Sequence, residues 1–189
     1  FQQQDMGTLE WQHCGRHNAM NACTAIAAAV AAGVPSKTAI EALQSFSGVN
    51  RRMELIADSG DIRVYDDFAH HPTAIRLTLE GLRRKVGNAR ILVALEPRSN
   101  TMRAGVHADE LGPALMAADM VWMKTGEGID WDPQVALAPL EGRCKIVTRV
   151  DDMLQQIKNN MSAGDHIVFM SNGGFEAAPS RLASYIGNA

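Results

Sequence analysis

The chain has 189 residues, a formal net charge of −3 and only 5% aromatic side chains. That length allows one full core, or one domain with a piece of another. The lack of a Lys/Arg run and the scarcity of aromatics argue against a nucleic-acid footprint or a base-stacking platform.

The chain opens on Phe1-Gln2-Gln3-Gln4, which has no pattern and suggests a fragment of a longer protein. No secretion signal is visible. The run Ala19 to Ala32 is apolar but too short and too Ala-rich to span a bilayer. It reads instead as a buried, close-packed helix within a helical stretch from Gly15 to Gly33, with Gly33 as its C-terminal cap. Ser36 reads as the N-cap of a second helix through Phe46. Gly48-Val49-Asn50 marks a break, which divides the chain into residues 1–47 and 48–189.

Beyond the break the pattern changes. Met53 to Ala57 and Ile62 to Tyr65, joined by Asp58-Ser59-Gly60-Asp61, predict a β-hairpin. Thr73 to Val86 carries Ile75, Leu79, Leu82 and Val86 at helical spacing. Arg90 to Leu95 is a continuous apolar run, as in a strand buried on both faces. His107 to Ala118 reads as helix. Met120 to Met123, Cys144 to Thr148 and His166 to Met170 read as strands, and Asp151 to Met161 and Pro179 to Ile186 as helices. The alternation predicts an α/β fold, a Rossmann-like, mainly parallel sheet with helices on both faces. A short hairpin and a separate helical segment precede it. The three cysteines, Cys14, Cys23 and Cys144, have neither metal-ligand nor redox-motif spacing, which predicts a reduced cytoplasmic setting.

Five segments carry side chains with chemistry. Asn18 and Asn21 share a helix face in Gly15-Arg16-His17-Asn18-Ala19-Met20-Asn21, where a carboxamide can pair with an adenine edge. The same spacing fits a cap and a solvated amide, and by spacing alone this plain reading leads. Arg52 precedes a strand and offers a planar fork to phosphate oxygens; taken alone, an ordinary surface ion pair, as with Glu54, is the better explanation. Asp66-Asp67-Phe68-Ala69-His70-His71-Pro72 packs two carboxylates and two imidazoles between a strand and a helix start. A neutral His71 at that helix end can exchange hydrogen bonds without carrying charge. Asp67 can accept from a sugar hydroxyl, and the spacing does not demand a Mg²⁺ role for Asp66 or Asp67. Glu96-Pro97-Arg98-Ser99-Asn100-Thr101-Met102-Arg103 reads as a loop whose arginines suit a substrate with carboxylates, and a solvated loop with surface charges explains it equally. In Met170-Ser171-Asn172-Gly173-Gly174-Phe175 the paired glycines allow close backbone approach to a ligand, although by themselves they read first as a plain turn. The last three segments each follow a strand, so a parallel sheet would bring them to one edge.

Together these segments resemble the ATP-dependent muramyl ligase family, which builds the peptidoglycan peptide, and the resemblance covers nearly the whole chain. Gly15 to Ala22 is similar to the helix that ends the family's central ATPase domain, so residues 1–47 would be the end of that domain. Residues 48–189 would be the C-terminal substrate-binding domain. The resemblance implies ATP contacts by His17, Asn18, Asn21, Arg52, Asp67 and His70. It implies peptide contacts by His71, Arg98, Ser99, Asn100, Arg103, Ser171 and Asn172. Two branches share the Asp-Asp-aromatic-small-His-His-Pro pattern. One adds L-alanine to UDP-N-acetylmuramate. The other joins UDP-N-acetylmuramate to the recycled tripeptide L-Ala-γ-D-Glu-meso-diaminopimelate, and the Glu96 and Ser171 segments look like the latter. The alternatives are the alanine-adding activity and a non-catalytic nucleotide-binding module. After Phe175 the chain reads Glu176-Ala177-Ala178-Pro179, where the family pattern leads one to expect glycines. No Gly-x-x-x-x-Gly-Lys-Ser/Thr loop occurs. The catalytic lysine and the residues that bind Mg²⁺ would therefore belong to a central domain outside this chain. No catalytic or metal-binding residue is expected within it, and the fragment alone is expected to be inactive. No nucleic-acid or membrane partner is expected.

Overall fold

The computed structural model describes residues 5–11, 13, 15–126 and 128–187. The opening Phe1-Gln2-Gln3-Gln4, Cys14 and Glu127 lie outside the described residues. The chain forms two compact units divided between Val49 and Asn50.

In the first unit, helix α1 (Arg16–Ala31) packs on α2 (Ser36–Gln44). Gly33 has φ +90°, and the Gly33 and Val34 N–H groups donate back to the Val30 and Ala29 carbonyls. This is the left-handed helix stop for which glycine is suited. Two expectations are corrected here. The stretch from Ala19 to Ala32 is not buried, since Ala22 is the one buried residue of α1. Its apolar residues lie on all sides, and one short neighbouring helix covers only a narrow stripe. Pro35, not Ser36, occupies the N-cap of α2, and Ser36 is its first helical residue.

The second unit is a six-stranded sheet, β1 (Glu54–Ser59), β2 (Ile62–Asp67), β3 (Ile91–Leu95), β4 (Met120–Lys124), β5 (Cys144–Val147) and β6 (His166–Met170), in the order β1-β2-β6-β3-β4-β5. Only β1 and β2 pair antiparallel. Their turn places Gly60 and Asp61 at φ 58° and 60°. That conformation matches the right-handed twist of the flanking strands. Every residue of β3 and β6 is buried. Alternate side chains serve two cores. Val93, Leu95, Val168 and Met170 pack with Ile75, Leu79 and Leu82 of α3 (Pro72–Val86) and Leu111 of α5 (Ala108–Ala114). Leu92, Ala94, Ile167 and Phe169 pack with Met153 and Ile157 of α7 (Val150–Asn160) and Leu182 of α8 (Ala178–Gly187). Each such side chain, fully buried, stabilises the fold by about 1.5–3 kcal/mol.

The Glu96 to Arg103 segment is not all loop, as expected from the sequence. Ser99 caps a single helical turn, α4 (Asn100–Arg103), by accepting from Met102 N–H. The helix expected over His107 to Ala118 is shorter, ending at Ala114 with Leu115 as its C-cap. A further short helix, α6 (Pro133–Ala136), is capped by Asp132. Burial pushes the Cys144 thiol up to about 11, which leaves it protonated and inert at neutral pH. No helix among the described residues is long and apolar enough to cross a membrane.

Candidate active site

The order β2-β6-β3-β4 decides where the chemistry gathers. Asp67 pairs with Met170, Met170 with Leu95, and Leu95 with Met123, so these strands end level with one another. The segments leaving them, which begin at Phe68, Ser171, Glu96 and, after Lys124, at Thr125, share the carboxyl edge of a parallel sheet. Ligands bind at such edges.

The first of these segments is rigid. Asp67 is buried at 3% exposure, and its two carboxylate oxygens accept from the N–H groups of Met53 and Ala69. Burial pushes its carboxyl up, against those hydrogen bonds. Asp67 thus ties the start of β1 to the turn after β2. Asp66 is raised by burial too, against the pull of Arg51. Arg51 donates to Asp66 and to the Ser171 carbonyl, at 3.0 and 2.6 Å. It takes a left-handed φ of 59°, as does Met53 at 49°. Non-glycine residues seldom adopt this conformation. Arg52 is exposed, with its guanidinium 5.9 Å from the centre of the Phe68 ring. His70 is half-buried with Nδ1 2.9 Å from the Phe68 carbonyl, so Nδ1 carries the proton and donates.

His71 is the N-cap of α3, its Nδ1 accepting from Thr73 N–H, with Pro72 at the first helical position. His71 Nε2 lies 3.2 Å from His107 Nε2, and His107 Nδ1 lies 2.9 Å from Glu110. The backbone donor sets the direction of this chain. A His71 that accepts at Nδ1 carries its hydrogen on Nε2 and donates to His107, which donates from Nδ1 to Glu110.

A second cluster sits where β3, β6 and β4 end. Ser171, at 1% exposure, donates from Oγ to Glu96 at 2.7 Å and accepts from Gly173 N–H. The other Glu96 oxygen accepts from Lys124 Nζ at 3.1 Å, and Lys124 also donates to Glu176 at 2.8 Å. Burial alone would lower the pKa of the Lys124 ammonium, but its bonds to Glu176 and Glu96 hold it above the ordinary value. Glu176 lies in a turn where Phe175, Glu176 and Ala177 have φ of 44°, 49° and 54°. Three successive non-glycine residues in this conformation cost roughly 1–2 kcal/mol each. The turn is held by Phe175 and Ala178, both buried.

Glu96, Arg98, Arg103 and Lys124 line a cavity of about 270 Å³, closed by Pro97, Thr125, Gly126 and Ile129. Arg98 lies across Gly173 so closely that a Cβ there would collide with it. Arg103 donates to the Gly128 carbonyl at 3.2 Å. The cavity walls therefore carry three cations and the buried Glu96 carboxylate, with Glu176 also bonded to Lys124, a balance that still leaves positive charge for an anionic ligand. A roomier cavity of about 580 Å³ lies within the first unit, but its lining is mostly Ala, Ile, Leu, Val and Met.

The edge of the sheet thus collects the segments of His70, His71, Arg98, Ser99, Asn100, Arg103, Ser171 and Asn172. Ser99 is spent on its cap. Asn100 is exposed, and Asn172 has its amide oxygen buried without a protein partner among the described residues. His17, Asn18 and Asn21 belong to the first unit; His17 and Asn18 are half-buried and Asn21 is exposed. Among the described residues no group of three or more His, Cys, Asp or Glu side chains could hold a metal ion. Sequence reasoning left Arg51, Lys124, His107, Glu110 and Glu176 out of the site. Lys124 ends a strand as Asp67, Leu95 and Met170 do, and that position was the available signal.

Residues 51–173 match the family model described as Mur ligase, glutamate ligase domain. The UDP-N-acetylmuramate–L-alanyl-γ-D-glutamyl-meso-2,6-diaminoheptandioate ligase of Escherichia coli (strain K12) is 42% identical over 178 residues. The match covers 94% of this chain and 39% of that relative, so the chain spans about two fifths of the relative's length. A UDP-N-acetylmuramate–L-alanine ligase of Mycobacterium marinum is 44% identical, but over 58% of this chain and 23% of its own. Among solved structures, a murein peptide ligase from Psychrobacter arcticus superposes with a TM-score of 0.72 at 43% identity, covering 96% of this chain and 39% of that one.

Proposed function

Since the chain belongs to the Mur ligase family, we propose that it forms the C-terminal part of an ATP-dependent ligase joining UDP-N-acetylmuramate to the tripeptide L-Ala-γ-D-Glu-meso-diaminopimelate. In that reaction the muramate carboxylate takes the γ-phosphoryl group of ATP and ADP leaves. The tripeptide amine then attacks the acyl carbon, loses a proton, and phosphate departs. Residues 48–189 supply the peptide side, and residues 1–47 are the end of the ATPase domain. The longer polypeptide carries the phosphate loop and Mg²⁺.

The observation that carries this reading is the cavity where Arg98, Arg103 and Lys124 converge. A tripeptide with several carboxylates uses three cations; free alanine offers one carboxylate. Relatives named for the tripeptide are 42 and 44% identical over 94 and 88% of this chain, whereas an alanine-adding relative that covers 84% of it is 35% identical. Arg98 and Arg103 clamp peptide carboxylates. Asn100, His71 and Asn172 lie on the segments that leave the same sheet edge, and the buried Asn172 oxygen is open to a peptide donor, since an unpaired buried acceptor is costly. Ser99 and Ser171 act by shaping the two loops. Within the first unit, His17, Asn18 and Asn21 are read as nucleotide contacts of the ATPase domain's end. In the second unit Arg52 is exposed and His70 half-buried, and both are assigned to the nucleotide. Asp67 holds the turn that presents them, because both its oxygens are already engaged.

The test is steady-state kinetics of the full-length enzyme. Arg98→Ala should raise the KM for tripeptide by about tenfold or more, the loss of a charge-assisted pair, with the KM for ATP unchanged. A shift in the KM for ATP instead, or efficient turnover of L-alanine in place of tripeptide, would overturn the assignment.

A further inference from the structure

Lys124 is the cation of the cavity whose bonds are most telling. Its two carboxylate partners differ in kind. Glu96 is fixed: its side chain is 10% exposed, and its second oxygen is held by the buried Ser171 hydroxyl. Glu176 is not. Its side chain is 58% exposed, its carboxylate bonds to Lys124 and to no other group among the described residues, and it stands on the left-handed turn 175–177. The fold thus accepts an unfavourable backbone conformation at the residue that brings a second carboxylate onto a lysine already paired. Lys124 keeps its position when Glu176 leaves, because Glu96 still holds it.

From this we infer that Glu176 is an internal stand-in for a substrate carboxylate, and that an acidic peptide displaces it from Lys124 on binding. The inference rests on the functional reading above and adds to it a third cation and an occupant that must be expelled. The exchange is balanced in charge. One carboxylate leaves an ammonium and another arrives, so Lys124 and Glu96 see the same field before and after. The incoming carboxylate gains what Glu176 lacks, the neighbouring Arg98 and Arg103 guanidinium groups that line the same cavity. Glu176 in turn recovers water, as its exposure allows. Peptides without an acidic end gain nothing from the exchange. The stand-in therefore selects for acidic peptides by charging every ligand for the displacement and repaying only some.

The experiment compares Glu176→Gln, Lys124→Met and the double variant in the full-length enzyme, with tripeptide and ATP as the varied substrates. Glu176→Gln removes the competing charge and should lower the KM for tripeptide by about two- to fivefold, the scale of an exposed ion pair, leaving the KM for ATP unmoved. Lys124→Met should raise the KM for tripeptide by about tenfold. Glu176→Gln added to Lys124→Met should bring no further change, because the competitor acts only through the lysine. A purely structural ion pair gives the opposite sign, a KM for tripeptide that stays or rises in Glu176→Gln, and that result overturns the inference while the ligase assignment stands. Should Lys124→Met fail to fold, the sign of the Glu176→Gln effect decides alone. If the unaltered enzyme does not turn over tripeptide, the functional reading falls and the exchange falls with it.

Discussion

Helices α1 and α3 are nearly equal in length, 16 and 15 residues, and fare differently. By composition α1 is the more apolar, yet a single one of its residues is buried. In α3, Ile75, Thr78, Leu79 and Leu82 form one stripe against a sheet and all are buried, while Arg84 and Lys85 end it in solvent and the half-buried Arg83 bonds the Ala117 and Ala89 carbonyls. Apolar content alone does not bury a helix. A stripe matched to a flat apolar partner does, and most helical stability comes from that packing.

The sharpest way to break this contrast is Leu79→Ala. It empties a fully buried site and should destabilise the second unit by about 2–5 kcal/mol, read from denaturant unfolding followed by Trp122 fluorescence. A loss below about 1 kcal/mol would mean the stripe is not what holds α3. A smaller effect is expected at His166, which lies in the second unit's core with Nδ1 3.1 Å from the Tyr65 hydroxyl. Burial, with the nearby Arg63 and Lys85 charges, pushes its imidazole below the ordinary 6.5. The unfolded chain therefore takes up this proton at higher pH than the folded one. The stability it contributes is present above 6.5 and is lost as pH falls through that value. Thermal melting should weaken from about pH 7.5 to 5.5, and His166→Gln should flatten part of that slope; parallel curves would refute the assignment. The smallest effect belongs to α1. Met20 is 56% exposed, so Met20→Ala should change the chain's stability by less than about 0.5 kcal/mol.

The same contrast explains what could be read from the letters. Strand β3 was legible because five successive apolar residues fit only a strand covered on both faces. The hairpin was legible because Ser59-Gly60-Asp61 permits two left-handed residues. The edge that gathers His71, Arg98 and Ser171 followed from strand polarity alone. The burial of α1 was misjudged because composition does not say what lies opposite. The His71–His107 pair joins residues 36 apart through a contact that no spacing rule encodes. Arg51 escaped notice because its reach depends on positive φ at a residue that normally avoids it. Glu176 stood out in the sequence only as a missing glycine. The left-handed turn shows why glycine would have been the easier choice there.

Strand β6 lies between β2 and β3 although it is the last of the six in chain order. The two halves of the sheet therefore have no shared ladder until a segment about a hundred residues downstream of β2 threads between them. A nascent chain would hold its hairpin and its β3-β4-β5 half as separate, open-edged pieces throughout most of synthesis. Closure then depends on contacts distant in sequence, which are slow to form. Stepwise truncation from the C-terminal side should accordingly show a single abrupt threshold, at β6, where a soluble chain becomes one that associates through its unpaired strand edges.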